Sequence, residues 1–101
     1  MEKQPNQEEK IEKNFVFQVL TENGDTPATQ ELVDVWVKQQ ENLVKTGKDR
    51  IIFYIDRADL YVAIMDIDKA KKCFEDALIQ ARQENEVELQ KEIERRLKSF
   101  E

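Results

Sequence analysis

Only four residues in the chain interrupt a helix strongly: Pro5, Gly24, Pro27 and Gly47. Two glycines and two prolines are too few for the many turns of an all-β fold. Between and beyond these breaks, apolar residues recur at helical spacing. The chain therefore reads as all-α, with about five helices.

The first helix spans residues 7–23. Its apolar face holds Ile11, Phe15 and Val19, with Val16 and Leu20 beside it. Residues 1–6 read as a flexible N-terminal tail. Asn23-Gly24-Asp25 stops the helix. Thr26-Pro27 starts the second, with threonine as N-cap and proline where an amide would be unpaired anyway. That helix runs over 27–46 and presents Leu32, Val33, Trp36, Val37, Leu43 and Val44 on one broad face. Gly47 is expected to close it, and Asp49 to cap the third helix at 49–65.

The third helix is apolar on nearly every side, with Asp56, Arg57 and Asp59 as its main polar relief. Such a helix is either central and covered on several sides, or exposes a binding face. Asp66 caps a fourth helix at 67–84 carrying Ile67, Ala70, Phe74, Ala77, Leu78 and Ala81. A fifth, at 86–100, carries Leu89, Ile93, Leu97 and Phe100. No Gly or Pro separates the last two. A break near Asn85 is expected, with one long helix from Ile67 as the alternative.

Residues 51–84 carry a recognisable pattern. Tyr54, Ala58 and Tyr61 on the third helix, then Ala70, Phe74 and Ala77 on the fourth, stand at the spacing of a helical hairpin. The turn between them reads Met65-Asp66-Ile67-Asp68-Lys69-Ala70. Two antiparallel helices approach closely only where side chains are small, and the three alanines supply those places. The stretch resembles a tetratricopeptide repeat, a helix–turn–helix unit of about 34 residues. Arg57, Met65 and Arg82 depart from the family pattern. They stand where an apolar residue, the turn glycine and the final proline are usual.

No second good copy precedes it, because one period back puts Trp36 and Gln40 at the Ala and Phe positions. About three such units are normally needed to bury a core. The missing cover must come from the other helices, with 86–100 as a C-terminal capping helix, or from a second chain. Residues 7–101 are read as one domain.

The resemblance implies protein binding along the face built from the first helix of each repeat. Here that face would hold Ile52, Ile55, Asp56, Asp59 and Val62. The family's clamp for a C-terminal carboxylate uses Lys, Arg and Asn at such positions. Ile and Asp stand there instead, so an apolar or basic ligand segment is expected. The same residues could simply pack under the first or second helix. An adaptor or scaffold role is the leading expectation. A self-assembling structural protein, a small chaperone and a regulatory subunit of a larger complex are the alternatives. The partner would be another protein or peptide, or a second copy of the chain in a homodimer joined through the apolar third helix.

The remaining composition narrows the classes. The net charge of −6 argues against nucleic acid and against anionic membrane surfaces. The longest apolar run, residues 51–55, is far short of the roughly 18 needed for a membrane span. The polar N-terminus has no apolar stretch like a signal peptide's, and Cys73 is the only cysteine, so a cytoplasmic protein is expected. Histidine is absent, which removes the commonest general base and metal ligand. Cys73 then lacks an activating partner and reads as a structural thiol. Asp56 and Asp59, or Asp66 and Asp68, lack the Gly and late Glu of a calcium loop. No enzyme activity, cofactor or metal is expected.

Overall fold

The structure is a computed structural model that describes residues 11–101. The expected tail at 1–6, and the expected start of the first helix at Gln7, lie outside the described residues. Five helices follow in order: α1 (Lys13–Asn23), α2 (Pro27–Leu43), α3 (Gly47–Ala63), α4 (Ile67–Gln83) and α5 (Val87–Lys98). No strand occurs among the described residues, and no helix among them is long and apolar enough to cross a membrane.

Local chemistry explains the boundaries. Ile11 and Glu12 are not helical. The Ile11 amide donates instead to Oε1 of Gln39 at 2.8 Å, which lays the entering chain along α2. At α2, the Thr26 hydroxyl accepts the Thr29 amide and the Thr29 hydroxyl accepts the Thr26 amide. This reciprocal cap satisfies two of the amides orphaned at a helix start. The expected roles of Gly47 and Asp49 are corrected. Thr46 is the N-cap of α3, accepting the Asp49 amide at 3.0 Å, and Gly47 is the first helical residue. Threonine here supplies a cap that glycine cannot, so α2 ends earlier, at Leu43.

The two later turns are built alike. Met65 (φ 66°) and Asn85 (φ 57°) take the left-handed conformation. The Asp66 amide reaches back to the Tyr61 carbonyl at 2.9 Å, and the Glu86 amide to that of Ala81 at 3.0 Å. These are the six-to-one bonds that terminate a helix around a left-handed residue. The break at Asn85 is thus real, and the single long helix is excluded. Asparagine tolerates this conformation better than most residues; methionine does not. Met65 is 79% exposed and loses little packing on truncation. Met65→Gly is therefore expected to stabilise the fold by about 0.5–1 kcal/mol. A thermal melt checks it, with a shift of a few degrees upward expected.

Packing gives α3 its central place. Val16 and Leu20 of α1, and Val33, Trp36 and Val37 of α2, form one core with Phe53 and Leu60 of α3 and with Ile64 just after it. On the other side, Ile51 and Ala58 of α3 meet Cys73, Phe74, Ala77 and Ala81 of α4 and Ile93 of α5. Tyr54 and Tyr61 touch both cores. The apolar circumference of the third helix is thereby explained: it is a wall shared by two cores.

The α3–α4 pair is the most extensively packed among the described helices. Ala58, Ala70, Phe74 and Ala77 are all completely buried, and Tyr54 and Tyr61 are half-buried beside them. Arg57, where an apolar residue was expected, lays its guanidinium over the Tyr61 ring at 5.9 Å. The first helix is rotated from its expected setting. Val16 and Leu20 are its buried residues, while Phe15 is 54% exposed.

Cys73 is a buried member of the second core. Burial pushes its thiol above the ordinary value, against the pull of Arg57 and Lys72. Less thiolate forms at a given pH, and only 7% of the residue is exposed. Alkylation by iodoacetamide at pH 8 is expected to run roughly tenfold or more slower than for free cysteine, and to recover that rate in denaturant.

Candidate protein-binding groove

Three helices contribute to one open groove of about 340 Å³. Lys13, Asn14 and Phe17 come from α1, Asp59 and Val62 from α3, and Arg96 from α5. On α1 the turn-by-turn spacing that buries Val16 and Leu20 turns Lys13 and Phe17 toward a neighbouring face. On α3 the residues buried in the two cores leave Ile52, Asp56 and Asp59 on the remaining side, and Val62, which packs against the second core, also reaches the groove. These helices are thus the first members of the two hairpins together with the C-terminal helix.

A charged bridge crosses the groove. Lys13 Nζ donates to Asp59 Oδ2 at 2.9 Å and to Asp56 Oδ1 at 3.1 Å. Asp59 Oδ1 also accepts from Arg96 Nη2, which joins α5 to the same carboxylate. Arg96 sits close to Glu92 one turn earlier and lies over the Phe74 ring, its Cζ 4.8 Å from the centroid. Burial pulls the Lys13 ammonium down, but its hydrogen bonds to Asp59 and Asp56 outweigh that and hold it above its ordinary value.

The Lys13 and Asp59 side chains are 31% and 19% exposed, so their attraction is neither fully screened nor deeply desolvated. A double-mutant cycle with Lys13→Met and Asp59→Asn is expected to give a coupling of about 1 kcal/mol. Added salt should weaken it, and a coupling of zero would mean that the bridge is not formed in solution.

The five residues expected to bind a partner are distributed over this surface. Asp59 and Val62 line the groove. Ile52 and Asp56 line a smaller neighbouring recess with Leu43, Val44 and Phe53, where α2 ends and α3 begins. Ile55 lines neither; it is partly buried and packs against the second core. Ile52 keeps 42% exposure and Leu43 keeps 46%, so this recess offers apolar surface to solvent.

Lys13, Asn14, Phe17 and Arg96 were not legible as site residues. Phe17 carried a weak signal, being an aromatic set apart from the Ile11, Phe15 and Val19 stripe. Lys13 and Arg96 carried none, because exposed helix faces are full of such charges. Chemically, the groove offers two apolar side chains, one amide and a charge-balanced bridge. That set suits a polypeptide segment with an apolar side chain to insert and polar groups to exchange with the bridge. Comparisons with protein-family models, with curated proteins and with solved structures found no match to this chain.

Proposed function

We propose that the chain is a protein–protein interaction module of the tetratricopeptide type, an adaptor that holds a polypeptide segment against α1, α3 and α5. The observation that carries this reading is the groove itself. It sets exposed Phe17 and partly buried Val62 beside the Lys13–Asp59–Arg96 bridge, in a recess shared by α1, α3 and α5. The alanine-rich α3–α4 contact and its left-handed turn support the repeat resemblance. The role is binding, without catalysis or cofactor.

Because Lys13 and Arg96 are occupied by Asp56 and Asp59, the groove is not a free anion site. An apolar segment with basic character could take over the two aspartates from Lys13. Selection of displayed peptides against the immobilised protein tests the proposal. Selected peptides should bind Phe17→Glu and Val62→Glu proteins roughly tenfold or more weakly, since each charge falls in the contact centre. Phe17→Glu, at an exposed position, should keep its circular dichroism spectrum. Peptides that bind wild type and both variants equally would overturn the groove assignment.

A second reading is a self-assembling structural protein or regulatory subunit. It is favoured by the exposed Leu43 and Ile52 of the neighbouring recess, which a second copy could bury. Sedimentation over a wide concentration range separates the two. A mass that stays at one chain removes self-assembly.

A further inference from the structure

The two ends of the helical stack are finished differently. At the C-terminal end, α5 turns Glu88, Lys91, Glu94, Arg95 and Lys98 to solvent, with Val87 at its first position as the exposed apolar exception. That is the polar outer face a stack of helical hairpins needs where it stops. The N-terminal end has no such finish. Phe15 on α1 is 54% exposed, and Val35 on α2 is 41% exposed.

These two residues belong to one surface. The Ile11 amide bonded to Gln39 fixes the register of the antiparallel α1–α2 hairpin. One turn onward on α1 and one turn back on α2 leads to Phe15 and Val35. Val19 extends the apolar row on α1, and Leu32 extends it on α2; both are only partly buried. Residues 1–10 hold only Met1 and Pro5 besides polar and charged side chains, and so bring little apolar cover.

Charge identifies the partner. The hairpin from Ile11 to Val44 carries six carboxylates, Glu12, Glu22, Asp25, Glu31, Asp34 and Glu41, against Lys13 and Lys38. It therefore holds −4 of the chain's −6, and Lys13 is turned into the groove. Glu12, Glu22, Glu31 and Asp34 are exposed and have no ion pair among the described residues. A second copy would set these carboxylates against their own kind, which disfavours self-pairing.

We propose that the outer face of the α1–α2 hairpin docks a basic amphipathic helix of a partner polypeptide. The partner's apolar stripe covers Phe15, Val19 and Val35 and continues the stack. Its Lys and Arg side chains meet the carboxylate rim. This surface is separate from the groove, which uses Lys13 and Phe17 on another side of α1.

The probe is a synthetic amphipathic helix of leucine and lysine, with its leucine–glutamate counterpart as control, titrated into the isotope-labelled protein. Amide shifts are expected along residues 11–22 and 31–39, with the lysine peptide only, and binding should weaken as salt rises. Phe15→Ser with Val35→Ser should weaken binding roughly tenfold, and Glu31→Lys with Asp34→Lys by a similar factor. Phe17→Ser, on the groove, should leave the shifts along residues 31–39 unchanged, whatever it does to peptide held in the groove. All five positions are exposed, so the fold should persist.

The proposal fails if the double serine variant keeps the shifts along residues 31–39, or if Phe17→Ser abolishes them. It also fails if the free protein doubles its mass with concentration and the double serine variant does not, because a second copy then owns the face. Shifts at residues 2–10 in the peptide-free double variant would equally overturn it, by showing that the chain covers itself.

Discussion

Phe74→Ala should cost about 3–5 kcal/mol, a large fraction of what a domain of this size has to lose. Phe74 is completely buried, and its ring packs 5.9 Å from the Phe100 ring and under the Arg96 guanidinium. Its neighbours on α4 are Ala70, Ala77 and Ala81, all fully buried, and Ala58 stands on the facing helix. Alanines have no side chain long enough to move into the space a lost ring would leave. The surrounding helices would have to shift instead, so most of the cavity should persist. Denaturant titration measures the effect as a lower midpoint at unchanged slope. A loss below about 1 kcal/mol would mean that Phe74 is not the centre of the α3–α4 contact, and the repeat resemblance would fall with it.

Trp36→Ala should be as damaging, about 3–5 kcal/mol, and for a parallel reason in the other core. Trp36 is 1% exposed and packs its ring 5.8 Å from that of Phe53. It joins α2 to α3, the face that the first hairpin needs in order to stay attached. A conservative replacement should behave differently. The indole Nε1 is buried without a hydrogen-bond partner, and an unmet buried donor costs about 1–3 kcal/mol. Trp36→Phe removes that donor and keeps most of the ring, so the two effects largely offset and the net change should be within about 1 kcal/mol. The pair of variants separates ring volume from donor chemistry. Equal losses for Phe and Ala would contradict the burial of an unpaired indole.

The helices were legible because their ends carry chemistry. Thr26-Pro27, Asp66 and Asn85 each mark a boundary by a cap or a left-handed turn, and all three stand where expected. The Thr46-Gly47 boundary was misread because glycine usually follows a helix, whereas here the preceding threonine starts the next one. The rotation of α1 was hidden for another reason. Phe15, Val16, Val19 and Leu20 are adjacent apolar residues, and periodicity alone does not say which pair meets the core. The position of α3 decides it, and that is a tertiary fact.

The groove was half-legible. The α3 residues follow from the repeat pattern, but Lys13 and Arg96 lie 46 and 37 residues away from Asp59. Nothing in a single sequence links a lysine near one end to an arginine near the other. Their meeting depends on α1 and α5 both flanking α3.

The central claim is that the groove between α1, α3 and α5 binds a polypeptide segment. The most direct measurement is a methyl-labelled NMR titration of the full chain with a peptide selected for binding. The expected result is that the Val62 methyls shift together with the Asn14 side-chain amide and the Arg96 guanidinium. Ile79, exposed on α4 and away from the groove, should stay still. Shifts centred on Ile79, with Val62 and Asn14 unmoved, would contradict the account.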